Sequence, residues 1–152
     1  MSSLQRFLDD GRLRRQRSSK SEIASLFMVV DRDIQDSGVC SLSEDRRFAI
    51  AYNAALQLAT IVLRAEGLRT VGSGHHRITI AAFPLILGSR VQETADYLDA
   101  CRSRRNTVDY DGIGIATERD VAELLAETAE LRQTVEAWLK EEHPELRDEV
   151  GS

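Results

Sequence analysis

Apolar residues recur at three- and four-residue intervals along most of this chain, and that spacing predicts helices. From Glu22 to Asp36, Ile23, Leu26, Phe27, Val30 and Ile34 fall on one face, with Ser19 or Ser21 placed to cap the start. The strongest pattern runs from Glu44 to Glu66, behind Ser43 and stopped by Gly67. Phe48, Ala51, Tyr52, Ala55, Ala59, Val62 and Leu63 make its stripe. Ile50, Leu56, Leu58 and Ile61 lie partly off it, so this helix is apolar around much of its circumference and is expected at the centre. Asn53, amid that apolar background, reads as a hydrogen-bonded core or interface residue.

Helical spacing returns over residues 89–105, with Val91, Ala95, Leu98 and Cys101 or Arg102 on one side. It returns again over 118–142, where Val121, Leu124, Leu125, Thr128, Leu131, Val135, Trp138 and Leu139 alternate by three and four until Pro144. Thr117 and Asp120 resemble a capping box before that helix. Ser3 to Asp10 predicts a short helix ending at Gly11. GLRTVGSGHH (67–76) carries three glycines and reads as a loop, as does the DYDGIGI turn after residue 105. Ile78 to Leu87 contains Pro84 and reads as two short turns or a kinked helix. Its RITI start has strand character, but the pattern shows no second strand to pair with it.

These elements predict an all-α fold, an antiparallel bundle of four to five helices with the Phe48 and Trp138 stripes on one core and no sheet. Residues 1–20 read as a short N-terminal helix and basic arm, 21–142 as the bundle, and 143–152 as a tail.

Composition sharpens this picture in three places. A chain of 152 residues with 42% hydrophobic and 30% charged positions is ordinary globular material for one core. A net charge of −5 excludes nucleic-acid binding through the whole surface, so any such contact needs a local basic patch. Arg12, Arg14, Arg15, Arg17 and Lys20 form one, either a solvated arm or a contact for phosphate or an acidic partner. Cys40 and Cys101, far apart and outside any CxxC pair, read as reduced thiols in the core or at its boundary. No leader pattern and no apolar run of about 20 residues stands out, so a cytoplasmic protein without membrane contact is expected.

The densest chemistry lies in RSRRNTVDYDG, residues 102–112: three arginines, an Asn, two aspartates and a Tyr. Arg105-Asn106 there, AYNAALQLA in the long helix, GSGHH in the loop and the basic stretch after GRL together resemble the HEPN family of helical bundles. The resemblance covers most of the chain. It implies RNA binding, assembly as a homodimer, or pairing with a nucleotidyltransferase-type partner in a toxin–antitoxin or defence system. In nucleolytic members an Arg, followed by a polar residue, precedes a His by about five positions, and two such motifs cut RNA across a dimer without metal.

Here Tyr110 stands where that His would, and no His lies between His76 and His143. Phenol, with an ordinary pKa of about 10, is a poor base at neutral pH. The resemblance therefore implies a binding module first, with Arg102, Arg104, Arg105, His75 and His76 as the RNA or anion contacts. A metal-independent ribonuclease using Arg105, Asn106 and Tyr110, with His75 or His76 as an added base, is the alternative. A helical protein-interaction domain without nucleic acid is the second. A plainer role for the arginines is to offset a helix C-terminus and pair with Asp109 and Asp111. Adjacent imidazoles diverge on a helix and have no third ligand at metal spacing, so no metal and no cofactor are expected.

Overall fold

A computed structural model describes residues 3–111 and 116–147, and for residues 105–111 the backbone alone. It is an all-α helical bundle carrying one small sheet. In order come α1 (Ser3–Asp9), β1 (Leu13–Arg15), α2 (Lys20–Ser37), α3 (Glu44–Ala65), β2 (Leu68–Thr70), α4 (His75–Leu87), a 3-10 turn (Ser89–Val91), α5 (Gln92–Asp111), α6 (Glu118–Glu142) and a last 3-10 turn (Pro144–Leu146).

Three helices, α2, α3 and α6, start on a side chain that accepts an otherwise orphaned backbone N–H. Ser19 Oγ accepts from the Glu22 amide at 3.1 Å, and Ser43 Oγ from Arg46 at 3.2 Å. Thr117 and Asp120 close the full capping box of α6, at 3.1 and 2.9 Å. α3 is the hub, packed against α2, α4, α5 and α6. Phe48, Ala51, Tyr52, Ala55, Ala59, Val62 and Leu63 are all buried, and so are Leu56, Leu58 and Ile61 from the rest of its circumference. Its four fully buried alanines bring neighbouring backbones close, and the Trp138 stripe of α6 meets it across one continuous core. Among the described residues α3 is also the one helix long and apolar enough to cross a membrane, contrary to the sequence reading; 67% of that window is buried inside the bundle. Asn53 is half-buried and donates Nδ2–H to the buried Asp33 carboxylate of α2 at 2.7 Å.

Four expectations need correction. The fold is not sheet-free: β1 pairs antiparallel with β2, Leu13 opposite Thr70 and Arg15 opposite Leu68. Three-residue strands are too short to show alternation, which is why the pattern hid them. The basic stretch is accordingly no free arm, because Leu13 lies in the core at 2% exposure. Second, of the two readings for Ile78 to Leu87 the structure takes the helix, with Pro84 inside it, and starts it earlier, at His75. Pro84 has no N–H to give the Ile80 carbonyl, and the helix ends three residues later at Leu87. Third, α5 continues to Asp111, because no Gly or Pro interrupts it before Gly112. Fourth, Cys40 is exposed in the α2–α3 turn, whereas Cys101 is buried and its thiol is pushed up to about 11, chiefly by that burial.

Candidate functional site

Two distant stretches of chain meet beside the start of α4. β2 ends at Thr70, and Gly74 adopts a left-handed conformation (φ 78°) that turns the chain into the helix. His75, His76 and Arg77 thus form the first turn of α4 rather than the end of a loop. Arg102, on α5, faces them. Gly74, His75, His76, Arg77 and Arg102 line a cleft of about 390 Å³. Among the described residues no carboxylate lines it. Asp99, one turn back on α5, accepts from Arg102 Nε at 3.1 Å and holds that guanidinium in place.

Both imidazoles are oriented by hydroxyls from other elements. His75 Nδ1 lies 2.7 Å from Thr70 Oγ1 on β2, which leaves Nε2 as the nitrogen His75 offers a ligand. His76 Nδ1 lies 3.4 Å from the hydroxyl of Tyr52, a buried residue of α3, with the rings 5.9 Å apart. The same two histidines border a second hollow of about 190 Å³, lined also by Gln57, Thr60, Arg64 and Thr70.

Arg104 has a structural role, and a partner the structure gives it is Asp120 of α6. Its Nη2 donates to Asp120 Oδ2 at 2.6 Å, and its guanidinium lies over the Phe48 ring at 5.6 Å. It therefore ties α5 to the capping box of α6 instead of joining the cleft. The Thr117 amide and then Arg104 hold the Asp120 carboxyl below its usual range. A depressed folded pKa stabilises the protein above the ordinary value of about 3.9, and that stability is lost as pH falls through the lowered one. Asp120→Asn is expected to lose about 1 kcal/mol at neutral pH. The gap from wild type should close on acidification, as read by urea unfolding at several pH values; a gap that stays constant would remove the charge from the explanation.

Arg105, Asn106 and Tyr110 lie on the backbone of α5, and their side chains fall outside the described residues, as do the proposed partners Asp109 and Asp111. Among the described residues no three of His, Cys, Asp and Glu come together in a way that could hold a metal ion. The sequence pattern singled out His75, His76 and Arg102 but passed over Arg77, Thr70, Tyr52 and Asp99. Arg77 follows the histidine pair directly and Asp99 lies one turn from Arg102, which were usable signals; Thr70 reaches the site through the turn into α4, and Tyr52 through a tertiary contact. No family model, no curated protein and no solved structure matches this chain.

Proposed function

We propose that this protein is an RNA-associated helical module of HEPN type whose phosphate-binding site is the cleft of His75, His76, Arg77 and Arg102. One observation carries the reading: two guanidiniums and two imidazoles, from segments far apart in sequence, converge on one cleft whose lining, among the described residues, holds no carboxylate. In a protein with net charge −5, that is the local positive site an RNA contact requires. Guanidinium suits phosphate because its planar fork donates two parallel hydrogen bonds. The Arg105-Asn106 pair, three residues beyond Arg102 on the same helix, supports the HEPN reading.

Fluorescence anisotropy with a labelled tetranucleotide of uridine tests it. Arg102→Ala is expected to weaken binding about 10- to 100-fold, the worth of a charged hydrogen bond. Arg104→Ala should reduce stability with little effect on affinity. Unchanged affinity in Arg102→Ala would sink the cleft as the phosphate site.

The cleft also favours a second reading, metal-independent cleavage, because two imidazoles, side chains of the kind used as general acid or base, line the same space as Arg102. RNA cut in the presence of EDTA by wild type, but not by His75→Ala or His76→Ala, would promote it. Cleavage lost in Tyr110→Phe would place the base on α5 instead.

A further inference from the structure

The basic stretch near the N-terminus has no part in the cleft just described, yet the fold lays it on a path that leads there. β1 carries Arg14 and Arg15, both exposed, and Arg12 and Arg17 flank it, also exposed. Arg14 faces Arg69 across the sheet, and Arg69 and Arg64 both donate to a single carboxylate, Glu22 of α2. Two guanidiniums on one carboxylate leave a surplus positive charge. It is felt locally: burial, then the neighbouring charge of Arg69, pulls the Arg64 guanidinium below its usual pKa. Among the described residues Arg69 Nε, which is buried, has no hydrogen-bond partner, so this corner of the protein is short of acceptors.

The concavities follow the same line. Arg15 and Arg17 border a groove of about 560 Å³ that reaches Gly67. Leu68, the next residue, borders the 190 Å³ hollow with Arg64, Thr70, His75 and His76. Those two histidines in turn border the cleft with Arg77 and Arg102. Among the described residues that border these concavities, the carboxylates are Glu66 and Glu145 in the first groove; Glu22 and Asp99 stand behind the line, each already held by arginines of the path. Glu66 is engaged there by His143 at 2.8 Å.

We infer that the β1–β2 ribbon is a second binding surface, over which the backbone of a single-stranded RNA runs from the His75–Arg102 cleft along Arg64 to Arg14, Arg15 and Arg17. The inference rests on the RNA reading of the cleft and extends it to a length preference. Oligonucleotides long enough to leave the cleft gain phosphate contacts on the ribbon, whereas a short one does not. Continuity with the imidazole-bearing cleft favours RNA over an acidic polypeptide, because a repeating phosphate backbone can use both ends of the path. Guanidiniums contact such a backbone without regard to sequence, so the ribbon adds affinity and salt dependence, not base specificity.

The test compares the intact protein with the triple variant Arg14→Gln, Arg15→Gln, Arg17→Gln, using uridine tetra- and dodecanucleotides across a salt series. Three lost phosphate contacts should lower the salt slope for the dodecanucleotide by about 2 and its affinity by about 100-fold near 0.1 M salt. Tetranucleotide affinity should stay within about twofold, since its phosphates fill only the cleft. A control triple, Arg46→Gln, Arg90→Gln, Arg119→Gln, makes the same change in net charge at exposed sites away from the path and should leave both affinities unchanged. Thermal melts should show all three proteins folded, because every substituted side chain is exposed.

An equal loss in the control triple would overturn the ribbon as a site and leave only overall charge. Equal slopes for the two oligonucleotides in wild type would overturn the ribbon while leaving the cleft standing. Ribbon-dependent dodecanucleotide binding without tetranucleotide binding would sink the cleft and keep the ribbon. Displacement of the dodecanucleotide by an equal length of poly-glutamate would overturn the RNA assignment in favour of an acidic protein. No binding of either oligonucleotide by wild type would overturn both.

Discussion

Replacing Trp138 by alanine is expected to remove about 3–5 kcal/mol of stability, the usual cost of deleting a large aromatic side chain from a core. Trp138 projects from α6 into the cluster built on α3 and is 7% exposed. Its ring also meets the His143 imidazole edge-on, with centroids 5.2 Å apart, at the point where α6 gives way to the last turn. His143 in turn lies 2.8 Å from Glu66 at the end of α3, so the indole props a link between the ends of two helices. A domain of this size is stable by only about 5–15 kcal/mol, so the variant should lose a large share of it. Urea unfolding would show the midpoint falling with little change in slope. Trp138→Phe should recover more than half of the loss. A cost below about 1 kcal/mol for the alanine variant would mean that the stripe faces water in solution.

Leu13→Ala is expected to cost about 2–3 kcal/mol, at the low end for a buried leucine, because a strand at the margin can settle into part of the void. Leu13 is the one apolar anchor of β1 in the core, at 2% exposure. The ribbon is otherwise held by backbone bonds such as Val71 N–H to Arg12 O at 2.9 Å and Gln16 N–H to Gly67 O at 2.8 Å. Loss of the anchor should therefore appear locally as well as globally. Hydrogen exchange at the Val71 and Gln16 amides should quicken far more than exchange within α3. Protection unchanged at those amides, or a cost under about 0.5 kcal/mol, would show that Leu13 does not hold the ribbon to the bundle.

The contrast between these two residues also marks how far the sequence could be read. Trp138 was legible because it belongs to a stripe repeated over 118–142, and α6 has those bounds in the structure. Leu13 was not, because a single apolar residue among arginines carries no period. Its burial is decided by β2, more than 50 residues along the chain, which supplies the partner backbone. The histidines show a similar split. Their proximity to a glycine-rich turn was visible, but their place in the first turn of α4 depends on Gly74 and on hydroxyls from β2 and α3.

By itself the sequence determined α2, α3 and α6, the caps that start them and the central position of α3. Those features rest on interactions between residues three or four apart, and such interactions repeat often enough to be read without knowing the fold. Only the tertiary structure decided that the basic stretch pairs with residues 68–70, that Arg104 braces a helix cap, and that Arg102 meets His75 and His76. In each case the deciding contact joins residues at least 16 positions apart. Charge and hydrogen bonding act through space at these sites, so nothing in the local pattern of the chain announces which distant partner a side chain will find.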